Sequence, residues 1–270
     1  MVGTIPLRQQ SADSGGAGEL PDLIHMTQTQ SETASPSIQQ RLEGLAWDDY
    51  YRQLSELGYA VTPPVLTPQE CSDLRGFYAR DQLFRSIVIM ERLRFGRGDY
   101  KYFANPLPEI VRELRTHAYP YLASTANQWA EWLGEKTRFP GRHEEFLQLC
   151  HRAGQIRPTP LLLHYEEGGY NCLHQDIYGA LAFPLQMVFL LGQQGRDWEG
   201  GEFVLVEQRP RAQSRAQVVT PNEGCSVIFT TRYRPVEGSK GHYRANMRHG
   251  VARVRSGSRY TLGIIFHDAE

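Results

Sequence analysis

The sequence predicts an α+β chain with a mainly β core, an antiparallel sandwich or jelly roll in its second half, buttressed by helices from the first half. Three observations point there. Helical spacing of apolar residues dominates up to about residue 155; short runs rich in branched and aromatic residues follow Arg157-Pro158; and turn residues such as Gly168-Gly169, Gly200-Gly201 and Pro221–Gly224 separate those runs.

The elements follow in chain order. Residues 1 to 40 are rich in Ser, Gln, Thr and Gly without helical or strand periodicity, which predicts a disordered tail ahead of one folded domain over 41–270. Leu42, Leu45, Trp47, Tyr50, Leu54 and Leu57 recur at helical spacing, and Gly58 is placed to end that helix. Thr67-Pro68-Gln69-Glu70 reads as a capping box with proline at the first helical position. The spacing from Pro106 to Leu133 predicts more helix, interrupted near Pro120 because proline lacks a donor. Helical support thus spans 42–155 and the β core 158–268. Strands are expected at 161–165, 185–191, 203–206, 217–219, 226–230, 251–255 and 259–266, with Trp198–Glu202 a tight turn feeding one of them.

Composition narrows the function classes. Apolar residues make up 40% and charged residues 22%, ordinary globular values that exclude a fibre or a wholly disordered chain. With 29 Lys plus Arg against 30 Asp plus Glu, the formal charge of -1 lacks the global basic signature of a dedicated nucleic-acid binder. No apolar run is long enough to span a bilayer and the first ten residues lack a secretory pattern, so no membrane partner and a cytoplasmic location are expected. The four cysteines are widely spaced with no C-x-x-C pair, which predicts free thiols in a reducing compartment.

The chemistry gathers in the β-rich half, in Tyr165–Asp176, His249-Gly250 and Arg259-Tyr260-Thr261. Side chains two apart on a strand share a face, so His174 and Asp176 can grip one ion, with His249 supplying a third ligand. Two imidazoles and one carboxylate suit non-haem Fe(II), because they leave positions open for other ligands. If Ser256-Gly257-Ser258 closes a hairpin, Arg255 opposes Arg259, Val251 opposes Gly263 and His249 lies opposite Ile265. His249, Arg259 and Thr261 then share one face, with His249 and Arg259 roughly 20 Å apart along the strands at ~3.3 Å per residue. Tyr260, Leu262, Ile264 and Phe266 form an apolar row on the other face.

The H-x-D pair His174 and Asp176, the distal His249 and the later Arg259 resemble the motif of the Fe(II)/2-oxoglutarate-dependent oxygenases. The resemblance implies a double-stranded β-helix (jelly-roll-like, cupin-like). It also implies Fe(II), the co-substrate 2-oxoglutarate and O2, with His174, Asp176 and His249 catalytic as metal ligands and Arg259 meeting the far carboxylate of 2-oxoglutarate. Tyr165 and Thr261 are placed to hydrogen-bond the co-substrate. From Trp47 onward, segments including FRSIVIMERLRFGRGDYKYF, YNCLHQDIYG and RHGVARVRSGSRYTLGIIFHDA are similar to a bacterial group of oxygenases named for oxidative demethylation of damaged DNA. That similarity implies coupling of 2-oxoglutarate decarboxylation to C–H hydroxylation of an alkylated DNA or RNA base.

A base must be single-stranded or flipped out to enter such a pocket. Phe84–Phe103 interleaves Arg85, Arg92, Arg94, Arg97 and Lys101 with aromatic residues, a mixture suited to phosphates and stacked bases. A second basic stretch, from Arg209 to Arg248, is read as loops leading to His249 and lining the active-site mouth. Asn171, Tyr178, Arg97 and Arg248 are the candidate substrate contacts, whereas His164, His242 and His267 are not expected to be ligands. A peptide is the alternative partner, because the Tyr, Gly and H-x-D region also resembles prolyl hydroxylases and would then serve a protein side-chain hydroxylase. A non-catalytic sensor of metal and 2-oxoglutarate is the third reading.

Overall fold

The computed structural model describes residues 35–177 and 179–270; most of the predicted tail, and Tyr178, lie outside the described residues. The tail boundary at 40 is too late. Helix α1 (Ile38–Glu43) opens on a capping box in which Ser37 Oγ accepts from the Gln40 N–H at 3.2 Å and Gln40 Oε1 accepts from the Ser37 N–H at 2.9 Å. The single helix expected over 42–57 is two, because Gly44, Leu45 and Ala46 separate α1 from α2 (Trp47–Leu57). Gly58 ends α2 at a φ of 83°, and a Cβ there would meet the Arg234 side chain at 2.7 Å, so both backbone and space select glycine.

The first half is less helical than its spacing suggests. Between α2 and the long helix lie β1 (Tyr59–Val61), α3 (Pro68–Phe77), β2 (Phe84–Ile89), the one-turn α4 (Met90–Leu93), β3 (Gly96–Arg97) and β4 (Asp99–Phe103). Helix α3 has the predicted Thr67 capping box. Helix α5 (Glu109–Trp132) runs through Pro120 without a break, because that proline sits on the solvent face, where the carbonyl it leaves free can be hydrated. Helix α6 (His143–Arg152) follows.

The second half supplies β5 (Leu161–Tyr165), β6 (Tyr170–His174), β7 (Leu185–Leu190), β8 (Trp198–Gly200), β9 (Phe203–Gln208), β10 (Arg215–Val219), β11 (Ser226–Thr230), β12 (Tyr233–Gly238), β13 (Gly241–Val251), β14 (Val254–Gly257) and β15 (Arg259–Ile265). One sheet runs β1-β11-β7-β15-β5-β4-β2; a second runs β10-β9-β13-β6-β3 with β12 on β13. Every named pairing is antiparallel, and the sheets make a double-stranded β-helix. Three expectations fail here. The second basic stretch is largely strand, not loop, with Arg215 in β10, Arg234 in β12 and Arg244 and Arg248 in β13; Trp198–Gly200 is a short strand; and β15 is no hairpin partner of the chain before it. Instead β14 pairs with β8, where Val254 and Trp198 bury together, and β15 inserts between β5 and β7.

The larger sheet is apolar on both faces. Its outer side, with Leu162, Phe189, Ile228, Leu262 and Ile264, packs against Leu114, Ala118, Tyr119 and Leu122 of α5. This is the packing predicted for the Tyr260–Phe266 row. Each such fully buried Leu or Phe stabilises the fold by roughly 1.5–3 kcal/mol. Its inner side meets the second sheet through Val188, Phe203, Leu205, Val227, Phe229 and Met247. Among the described residues no helix is long and apolar enough to cross a membrane.

Candidate active site

The two sheets bring His174 and His249 together by register: β13 pairs with β6 so that the two histidines are direct partners, with a register shift between His249 and Val251. Gly250 fills that shift, since a Cβ there would lie 2.7 Å from the Asn171 carbonyl oxygen. His249 is held against the rings of Phe229 and Phe203, at 4.8 and 5.9 Å. Asp176 is not on the strand with His174; β6 ends at His174, and the loop returns the carboxylate to the histidines. Gln175 pins that loop by donating to the Arg232 and Met247 carbonyls at 2.7 and 2.9 Å.

The three side chains converge. His249 Nε2 lies 3.1 Å from Asp176 Oδ2, His174 Nε2 lies 3.5 Å from Asp176 Oδ1, and one ligand atom from each falls within 4.8 Å of the others. Gln186 Nε2 donates to Asp176 Oδ2 at 2.9 Å. His174 Nδ1 is 2.7 Å from the Cys172 carbonyl oxygen, which can only accept, so a proton sits on Nδ1 and Nε2 is the nitrogen turned toward the cluster. Burial disfavours the charge of Asp176, yet His249 and His174 beside it hold the carboxyl well below the usual range. Burial pushes His249 down and keeps it neutral, while on His174 burial is outweighed by Asp176, which raises it. Neutral imidazole and ionised carboxylate are the forms that bind metal.

Arg259 lies on the opposite sheet and lines the same cavity, of about 430 Å³. Its side chain is 2% exposed, between the rings of Tyr165 and Trp198 at 5.6 and 5.8 Å, and its Nε and Nη1 have no hydrogen-bond partner. Burial pushes its ionisation down to about 10, against the opposing pull of Tyr165 and Glu202. Alternation along β15 turns Arg259, Thr261, Gly263 and Ile265 inward. At the far end of that row Ile265 pairs with Gln186, which reaches Asp176.

The other predicted residues divide. Tyr165, Thr261 and Asn171 line the cavity, and Asn171 Nδ2 donates to the Tyr165 hydroxyl at 3.2 Å. Arg97 and Arg248 do not line it. Arg97 is exposed with Glu91 at 4.0 Å, and Arg248 alternates outward from β13. Arg234, expected at the mouth, is 2% exposed and bonded to Glu207 at 2.7 Å. Of the basic and aromatic segment 84–103, Arg94, Phe95 and Tyr100 reach the cavity; Phe84 and Phe103 stack in the core. His164 and His267 face away, His164 stacked on Tyr260 at 4.2 Å and His267 accepting from the Phe183 N–H at 3.1 Å. Gln186 escaped the sequence reading, although it is the lone polar side chain in the run Leu185–Leu190. Trp198, read as a turn residue, gave no signal of its place over Arg259.

Residues 98–269 match a family model described as "Oxygenase, catalysing oxidative methylation of damaged DNA". An uncharacterised protein found in two Mycobacterium tuberculosis strains is 46% identical over 167 residues, 62% of this chain and 72% of that protein. Among solved structures, a Pseudomonas putida prolyl-4-hydroxylase superposes with a TM-score of 0.50 at 14% identity, covering 83% of this chain and 99% of that one. A Phytophthora capsici prolyl 4-hydroxylase gives 0.51 at 17% identity, covering 86% and 66%. At such identities the structural likeness shows the fold alone.

Proposed function

The chain belongs to the oxygenase family described for oxidative chemistry on damaged DNA, and from that premise we propose that it is an Fe(II)- and 2-oxoglutarate-dependent dioxygenase acting on alkylated nucleic-acid bases. The observation that carries this reading is one cavity holding both a two-histidine, one-carboxylate cluster and a buried guanidinium with two unpartnered donors.

The donor set fits a first-row divalent metal with open positions. His174 and His249 would hold it through imidazole nitrogen and Asp176 through carboxylate oxygen, with Gln186 fixing the carboxylate. Arg259 would receive the far carboxylate of 2-oxoglutarate, its planar fork supplying the charge-assisted bonds that nothing in the protein now takes. Iron bound here with 2-oxoglutarate and O2 supplies the oxidising power that couples decarboxylation of the keto acid to hydroxylation of a C–H bond. Around it, Leu163, Val188, Phe203, Phe229 and Ile265 keep the cavity apolar and limit water. On an N-methyl carbon, hydroxylation leads to loss of formaldehyde and a demethylated base. Four cysteines without disulfides support a reducing, cytoplasmic setting.

The purified protein should convert 2-oxoglutarate to succinate only with Fe(II) and O2 and release formaldehyde from methylated oligonucleotides, and His174→Ala should abolish both. Undiminished turnover by that variant would remove the metal assignment. Hydroxylation of peptides, with none of the nucleic acids oxidised, would make the chain a protein-directed oxygenase.

A further inference from the structure

We infer that the rim of this cavity is a clamp for one extruded nucleobase, with Phe95 as its stacking surface and Arg94 as the contact to an adjoining phosphate. The inference rests on the proposed function and supplies the residues that would recognise its substrate. Phe95, Leu173 and Ile177 line the cavity yet are 48%, 46% and 46% exposed. Large apolar side chains gathered half in water at one opening mark a binding surface. An aromatic ring beside two aliphatic chains offers a flat apolar slot, the shape a base needs once it has left its stack.

Charge selects the partner. Arg94 and Arg259 are the cationic Lys or Arg side chains among the described residues lining the cavity, and Asp176 is the carboxylate. Arg259 is sealed inside. Arg94 is exposed at the rim and, among the described residues, has no carboxylate within ion-pair distance, so it brings a positive charge to the mouth. Every nucleotide brings an anion next to its base, whereas a peptide need not.

The backbone presents the two side chains together. Arg94 caps α4 at a φ of 59°, a conformation disfavoured for a residue with a Cβ, and in the turn that follows it both Arg94 and Phe95 line the cavity. Phe95 is fixed on both sides: its N–H donates to the Met90 carbonyl at 3.1 Å and its carbonyl accepts from the Cys172 N–H at 2.8 Å. The stacking surface is thus tied to β6, the strand that carries His174.

The test is fluorescence anisotropy of a short single-stranded oligodeoxynucleotide bearing one N-methyladenine, with the full chain loaded with Mn(II) and 2-oxoglutarate. Phe95→Ala should weaken binding by about tenfold or more and Phe95→Trp should restore it. Arg94→Gln should lower the slope of log affinity against log salt by about 0.7, one phosphate on a single strand. Calorimetric binding of 2-oxoglutarate should be unchanged in all three variants. Wild-type affinity in Phe95→Ala, or a wild type that binds proline-containing peptides in preference to the oligonucleotide, would overturn the clamp while leaving the metal site standing. A wild type that binds neither Mn(II) nor 2-oxoglutarate would remove both.

Discussion

One side chain in the cavity, Arg259, has an environment that makes sense only with something bound beside it. Arg259 is buried with a cation's desolvation cost and, among the described residues, no carboxylate within ion-pair distance, so the metal-free protein should gain stability when the charge is removed. Arg259→Met should raise its unfolding free energy by on the order of 1 kcal/mol and abolish the rise in melting temperature that 2-oxoglutarate gives the Mn(II)-loaded wild type. A variant that loses stability and keeps that rise would contradict the assignment. Gln186 orients the carboxylate from behind, and Gln186→Leu should weaken Mn(II) binding by about 10–100-fold, measured by titration. Unchanged affinity would mean that Asp176 needs no such support. That His174, Asp176, His249 and Arg259 gather at one cavity was expected from their resemblance to a known motif, whereas the strand pairing drawn from spacing alone was not met. Gln186 and Trp198 were not legible, since a lone polar residue in an apolar strand and a tryptophan beside glycines each have commoner explanations.

Strands of uniform apolar character were easiest to read: β5 and β11 fall where predicted, and β7 and β15 within a residue. Strands β6, β12 and β13 were missed or taken for loops because they carry polar residues such as Asn171, Arg234, Arg244, Asn246 and Arg248, and the alternation that remains is weak. The hairpin failed for a different reason: partner choice was settled by the burial of Val254 against Trp198, residues far apart in the chain. At the end of β15 the helices grip the strand through polar contacts. Arg115 donates to the Ile265 and His267 carbonyls at 2.8 and 3.0 Å and to Asp268 at 2.8 Å, and His143 donates to the Phe266 carbonyl at 2.8 Å. Burial pushes His143 down to about 3 and His267 to about 4. An unfolded histidine takes up its proton near pH ~6.5, so below that pH the unfolded chain binds protons that the folded one refuses. Stability should therefore fall from pH ~6.5 toward about 4, by at most ~1.4 kcal/mol per pH unit for each histidine. Denaturant unfolding with a chelator present would show this, and a flat profile across that window would contradict it.

On the scale of the whole molecule the formal charge is -1, and the structure explains why the local basic stretches misled. Arg234 is spent on a buried pair with Glu207, and Arg85 lies over the Tyr102 ring and donates to the Pro158 carbonyl. Cations that serve the fold are indistinguishable in sequence from cations that face a ligand. The architecture was legible because turn spacing and strand length constrain a β-helix core, whereas the strand order depends on long-range pairings that no local pattern encodes. Two sheets facing each other then place residues from β6, the loop after it and β13 opposite Arg259 on β15. That convergence is the central claim, and calorimetric titration with Mn(II) followed by 2-oxoglutarate tests it most directly. The wild type should bind one Mn(II) per chain and then one 2-oxoglutarate, with Asp176→Ala losing both and Arg259→Met losing only the second. Equal Mn(II) binding by wild type and Asp176→Ala, or 2-oxoglutarate binding that ignores Arg259, would contradict it.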